Sequence, residues 1–431
     1  MTPGRFCLIW LGALVLTLSA VAGFDAAIDP YDVFGMPRLA GFNALKPEAA
    51  PHEMMAKTYQ VARIRPVTVL LGTSRVDLGL DPRSPLWPRS MRPVYNFGVD
   101  GAAEPTVVAD LRKAAATGRL RHAYVLLDFE DFLWPAGYEA DATANYRHTR
   151  DGRAILVGPW QRLHDMALST LTLAAFEDSV ATLLGQYETP PPITLTRHGF
   201  TTDADFRSEA QAAGPYDLFA QKAGFAMQQA LRGARSLANR HGALPQISDV
   251  RAMITFCRRH DIKLTLIVPP FHVGLLEIFR KAGLWPAFLQ WQRDLVALLP
   301  RNGGGSVTLW NFSGANRYTT DPVPRRPGDV GETVRWYWEF THFKPALGER
   351  MLARMLGRSS DGQFGTMVTR DNATAFLAGL ETETRPYVCG PRQPPLLVSW
   401  PAGMPPPVPC AAEATRYAAD PSAAPAHGAR Q

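Results

Sequence analysis

Cysteine is scarce in this sequence, and informative cysteine spacing is absent. Four cysteines stand among 431 residues, too few for a disulfide scaffold. None falls in a CxxC pair or at a Cys/His spacing that would hold structural zinc. Long runs of one charge are missing too. The formal net charge is +6, but the charges are interspersed, and no basic stretch interleaved with aromatics suggests a nucleic-acid groove. No segment repeats, which excludes a solenoid or propeller. No glycine cluster follows a strand and opens a helix at the spacing of a phosphate- or dinucleotide-binding loop. What remains is an ordinary globular composition, 46% apolar and 19% charged, in a length that holds one large domain with additions, or two domains.

The amino terminus carries the one long apolar run. Arg5 precedes it, it extends over residues 6–23, and Asp25, Asp29 and Asp32 follow. It is about long enough to cross a bilayer, and two readings stay open: a signal peptide cleaved after Ala22, or an uncleaved signal anchor. The unbroken length of the run favours the anchor. By the positive-inside rule, both readings put the bulk of the chain outside the cytoplasm. Such a compartment is oxidising, and Cys389 with Cys410 is the expected disulfide, because Cys7 lies in the apolar run and Cys257 in a buried helix.

Beyond residue 23 the order of elements predicts an α/β fold built on a parallel, doubly wound sheet. Residues 24–66, broken by Pro and Gly, read as a membrane-proximal arm without a long helix. Strands follow at residues 67–71, 93–97 and 123–127, with a helix from Glu104-Pro105 between the last two. Residues 132 to about 245 read as a mostly helical insertion, a lid or cap, in which Leu171, Leu173, Phe176, Val180 and Leu184 recur at helical spacing. The sheet then resumes at residues 263–268 and 307–311. A helix opening at Pro345 closes the α/β domain at residue 357. Residues 358–431 read as a loop-like tail rich in proline and alanine.

Chemistry-bearing residues gather at strand ends, where open α/β sheets place their sites. The first strand runs into Gly72-Thr73-Ser74-Arg75, leaving a serine hydroxyl in the crevice. Near the end of the sheet region comes Glu339-Phe340-Thr341-His342, in a loop just before the helix at Pro345. Ser74, His342 and Glu339 therefore form a candidate triad of nucleophile, base and orienting carboxylate. Glu339 and His342 could instead be metal ligands, but no further His/Asp pair supports a metal site. Asp128 and Glu130 follow the third strand, and Arg75 either clamps an anionic substrate or pairs with one of them. His272 ends the fourth strand and Asn311 the fifth, and both could line the same crevice. Asn96 is either a site residue or a turn former.

The order Gly72-Thr73-Ser74, then Asn96-x-Gly98-x-x-Gly101, then Glu339-x-x-His342 resembles the SGNH (GDSL-like) hydrolase and acyltransferase superfamily over roughly residues 67–357. With the export segment and the arm, it looks like the membrane-tethered periplasmic branch related to polysaccharide O-acetyltransferases of the alginate type and to the D-alanyl transfer protein. The resemblance implies a flavodoxin-like, SGNH-type sheet, Ser74 as nucleophile, His342 as base and Gly101 as a backbone N–H donor to the oxyanion. Two departures stand out. The acidic partner is Glu339 where the family usually has aspartate. The third block, which in the family carries an oxyanion-binding asparagine, here reads Asp128-Phe129-Glu130-Asp131, leaving Arg75 and Asn96 as the nearest substitute donors.

The resemblance implies a cell-envelope serine esterase or O-acyltransferase that needs no cofactor and acts on acylated cell-surface or exported polysaccharide. As a transferase it would need a multi-span membrane partner to supply the acyl group. It would be held at the inner membrane by one N-terminal span, with its bulk in the periplasm. The alternative is a non-catalytic, membrane-tethered carbohydrate-binding or assembly factor on the same scaffold, with strand-end carboxylates holding sugar hydroxyls and Trp134, Trp336, Tyr337 and Trp338 meeting sugar rings.

Overall fold

The computed structural model describes residues 2–133, 158–238, 244, 246–300, 305–359 and 361–410. Trp134 and the last 21 residues of the expected tail, 411–431, lie outside the described residues, as do parts of the expected insertion. The chain begins with α1, Pro3–Ile28, a 26-residue helix with a mean hydropathy of 2.2 over its most apolar window, long and apolar enough to cross a membrane. The helix outruns the expected boundary at residue 23, and its last turn is built into the fold. Asp25, Ile28 and Asp29 are buried. The Asp29 carboxylate accepts from the backbone N–H groups of Phe34, Gly35 and Met36. The Lys46 ammonium donates to the carbonyls of Ile28 at 2.5 Å and Asp29 at 2.7 Å, satisfying acceptors that a helix end leaves open.

Residues 24–66 are more ordered than their Pro and Gly content suggests, since α2, Glu53–Ile64, occupies the end of the supposed arm. Its residues 54–61 are all buried, so packing rather than a clean apolar stripe makes this helix. Six strands then build one sheet: β1 Thr68–Gly72, β2 Val94–Gly98, β3 His122–Leu126, β4 Lys263–Val268, β5 Val307–Asn311 and β6 Thr366–Val368. The order across the sheet is β2-β1-β3-β4-β5-β6. The first five strands are parallel, with Thr68 opposite both Val94 and His122, and β6 runs antiparallel to β5. β1 and β2 are buried along their whole length, which explains their continuous apolar runs.

The chain moves to one side of β1 to form β2 and then to the other side to form β3. The order thus reverses at the carboxyl ends of β1 and β3, where a crevice opens. The connection from β1 to β2 holds α3, Ser74–Gly79, and that from β2 to β3 holds α4, Glu104–Ala116. Between β3 and β4 come α5 Pro159–Leu168, α6 Leu173–Gly185, α7 Ala204–Ala213, α8 Pro215–Ala238 and α9 Ile247–Arg259. The later helices are α10 Val273–Lys281, α11 Trp285–Leu298, α12 Pro345–Met355 and α13 Ala373–Val388.

Past Gly357 the structure departs from the loop-like expectation. β6 extends the sheet, and α13 packs on α10 and α11 with Leu377, Leu380 and Val388 buried. The residues after α13 continue along this surface, where the Val408 carbonyl accepts from Arg280 at 2.7 Å and the Cys389–Cys410 disulfide closes the excursion. Proline and alanine here mark a segment held by its neighbours rather than a free one. Cys257 is buried, as its place in α9 requires.

Candidate active site

β1 delivers Ser74 to the crevice through a tight turn. Gly72 has φ +146°, and a Cβ there would come within 3.0 Å of the Leu126 carbonyl oxygen, so the turn depends on glycine. Thr73 caps α3, its hydroxyl oxygen accepting from the Arg75 N–H, while the same hydroxyl donates to Asp128 Oδ2 at 2.5 Å. Ser74 is the first residue of α3, so its backbone N–H has no acceptor within the helix.

His342 arrives from the far end of the chain. Trp338 N–H donates to the His342 carbonyl at 2.9 Å and Lys344 N–H to the Trp336 carbonyl at 2.8 Å, closing a narrow loop around residues 339–341. This loop folds Glu339 back onto the imidazole. His342 Nε2 lies 2.8 Å from Ser74 Oγ, and its Nδ1 is held by Glu339 Oε1. Glu339 is fully buried. Burial alone would raise its pKa, but His342, with Thr341 donating from its N–H at 2.7 Å and its hydroxyl at 2.6 Å, lowers it to about 2. The carboxylate is therefore ionised and aimed at the ring. Phe206 of α7 stacks on Trp338, with ring centroids 5.8 Å apart, and stands 5.3 Å from the imidazole, shielding it from one side.

The acidic third block is tied up by Arg75. Its guanidinium pairs with Asp128, lies 2.8 Å from Glu130 Oε2, and donates through Nε to the Thr341 carbonyl at 2.6 Å. Burial opposes the Arg75 charge, but Asp128 and Glu130 outweigh it and raise its pKa further. Of the two roles open to Arg75, the structure shows the pairing one, and the same side chain braces the histidine loop. Behind the block, Glu104 in the first turn of α4 is buried, and its Oε2 finds no hydrogen-bond partner among the described residues. Burial, with Asp249 and Asp128 nearby, pushes its pKa well above the usual value.

Ser74 and His342 open into a cleft of about 850 Å³. Gly101, at φ +60°, is on its wall with Asp128 and Glu130, and α7 and α8 of the region before β4 supply Phe206, Lys222 and Phe225. Three expected residues stand elsewhere. Asn96 is buried beneath α3, its amide donating to the carbonyls of Val76 at 2.7 Å and Leu80 at 2.9 Å while its oxygen accepts from Gly98 N–H. It closes the helix turn and is no oxyanion donor. His272 is completely buried and caps α10. Its Nε2 meets the Asp321 carbonyl at 2.8 Å and its Nδ1 accepts from Gly274 N–H, and burial lowers its pKa to about 4. Asn311 is buried with its amide on Gln292. The aromatics meant for sugar rings, Trp336, Tyr337 and Trp338, are buried as well.

Residues that sequence reading passed over hold the site from below. Lys57 of α2 is fully buried and reaches Asp77 of α3 at 2.5 Å, Glu53 at 3.3 Å and the Gly98 carbonyl. Its signal was a lysine inside a segment not recognised as a buried helix. Thr73 and Thr341 could have been noticed as hydroxyl neighbours of the serine and the histidine. Among the described residues, no group of three or more His, Cys, Asp or Glu side chains is arranged to hold a metal ion. Set against known proteins, the chain matches no protein-family model and no curated protein.

Proposed function

We propose that this chain is a cell-envelope serine enzyme of acyl-ester chemistry, an esterase or O-acyltransferase of the SGNH-like kind acting on acylated exported polysaccharide. The observation that carries the reading is the continuous chain from Ser74 Oγ to His342 Nε2 at 2.8 Å and from His342 Nδ1 to an ionised Glu339, opening on the cleft. The strand order 2-1-3-4-5, with the serine at the point of reversal, is that of flavodoxin-like sheets and supports the kinship. Orientation follows the expectation from Arg5 and the aspartates after α1, with the bulk of the chain in the periplasm.

In this reading Ser74 Oγ attacks the ester carbonyl as His342 Nε2 takes its proton, and Glu339 stabilises the imidazolium. The N–H groups of Ser74 and Gly101 stabilise the oxyanion of the tetrahedral intermediate. The carboxylates of the third block do not face it uncompensated, because Arg75 lies between them. The C–O bond then breaks, and His342 returns its proton to the departing alcohol. Water or a sugar hydroxyl attacks the acyl-serine by the reverse path. The burial of Trp336, Tyr337 and Trp338 removes the stacking platforms that a purely sugar-binding role would use.

The test is labelling of the full chain, purified in detergent, with a fluorophosphonate probe. Wild type is expected to label, with Ser74→Ala and His342→Ala silent and Glu339→Gln slowed by about 10³–10⁴-fold. A folded wild-type protein that stays unlabelled, or labelling that survives Ser74→Ala, overturns the proposal.

A further inference from the structure

α5 and α6 are built inside out for a protein in water. On α6, Leu173, Phe176, Val180 and Leu184 recur along one face, yet Leu173 is 73% exposed, while the opposite face of Ala175, Ser179 and Thr182 is buried. α5 repeats the inversion. Trp160 is 82% exposed and Leu163 lies in line with it, whereas the acidic Asp165 is buried, accepting from Tyr59 of α2 at 2.8 Å and from Gln161 at 2.7 Å. These polar ties fix the direction in which α5 faces. The apolar residues read at helical spacing in the insertion, Leu171, Leu173, Phe176 and Leu184, form an outer surface.

That surface is continuous with α1. Phe24 of α1 meets Phe176 of α6 with ring centroids 5.9 Å apart, and Tyr31 just beyond α1 bonds Asp178 on the same helix. Met36 and Leu39 are exposed beside them, and so is Tyr187, which donates to the Gly41 carbonyl at 2.8 Å. Among the described residues, the only large exposed apolar side chains outside α1, the Met36–Leu39 loop and residues 160–187 are Phe225, Val330 and Met367. Scattered exposed apolar residues are normal, but a concentration of this kind marks an interaction surface. The helices contain 10 and 13 residues and meet at 65°. At 1.5 Å per residue they reach about 15 Å and about 20 Å, short of the roughly 30 Å hydrocarbon core.

We infer that α5 and α6 form a bent, monotopic wedge that sits in the outer leaflet of the bilayer spanned by α1, with lipid chains as the occupant of their apolar face. The inference rests on the anchor reading of α1. A surface this apolar, joined side by side to a spanning helix and made of two helices that are each too short to span and are bent by 65° from one another, fits an in-plane membrane contact.

The test places an environment-sensitive NBD label on the full chain, in a Cys7→Ala background, at Leu163→Cys, Leu173→Cys, Leu14→Cys or Val330→Cys. The protein is reconstituted into phosphatidylethanolamine/phosphatidylglycerol vesicles that carry spin-labelled lipid. Leu163→Cys and Leu173→Cys are expected to be quenched at least about twofold, most strongly by lipid labelled near the headgroup, with Val330→Cys untouched. Leu14→Cys reports the anchor independently and should be quenched most by lipid labelled deep in the chain. Quenching at Leu14→Cys without any at Leu163→Cys and Leu173→Cys overturns the wedge and leaves the anchor. Loss of quenching at all of these positions overturns both. Blue-shifted emission at Leu163→Cys and Leu173→Cys that no lipid quencher reaches means that protein covers the face, a second copy being the simplest occupant, and also overturns the wedge.

Discussion

Glu339 can orient His342 only because two backbone hydrogen bonds turn the chain between them, and the contacts that hold the Glu339 carboxylate set one sign of pH dependence. Its folded pKa of about 2 lies below the ordinary 4.5. The stability it contributes is present above about pH 4.5 and is lost as pH falls towards 2. Glu104 has the opposite sign. Its folded pKa is raised well above 4.5, so the folded chain keeps a proton that the unfolded chain releases. Its contribution is complete below pH 4.5 and is lost as pH rises through the folded value. Glu104→Gln should therefore flatten the decline of stability above pH 4.5 by up to one proton, about 1.4 kcal/mol per pH unit, and raise Tm at pH 8. Thermal melts across pH check this, and an unchanged slope would mean that Glu104 is ionised in the fold.

At the scale of elements, Ser74 and His342 meet because α3 and α12 touch. A Cβ on Gly348 of α12 would lie 1.9 Å from the Gly79 carbonyl oxygen, and one on Gly79 would strike the Phe343 ring at 2.3 Å. Neither glycine is at positive φ, so closeness rather than backbone freedom demands them. Gly348→Ala should push α12 away from α3, costing about 1–3 kcal/mol in stability. It should lower the rate of serine labelling by about 100-fold through misplacement of His342, measured as a labelling time course on protein shown to be folded. The first five strands, the serine turn and the loop before α12 were all legible in the sequence, because apolar runs and turn residues are local signals. Asn96 and His272 were not, since their roles depend on partners at Val76, Leu80 and Asp321 that only folding brings near. Nor were α2 and α13 legible, since helices made by tertiary burial need no clean periodic stripe, and β6 is only three residues long.

The described residues are fastened at both ends. At their carboxyl side, the Cys389–Cys410 bridge closes a separation of 21 residues, which in the chain-entropy view contributes about 3 kcal/mol. The paired substitutions Cys389→Ser and Cys410→Ser should lower Tm by roughly 3–6 °C, and a reductant should lower wild type to the same value without affecting the variant. At the amino end, the Lys46 clamp on the last carbonyls of α1 and the Asp29 grip on residues 34–36 leave no slack between helix and domain. A domain on a long pliant leash sweeps a hemisphere and meets its surroundings at many altitudes. With α1 in a bilayer, this domain stands at one altitude and one tilt, and its cleft samples a thin slab beside the membrane whose height is a constant of the fold.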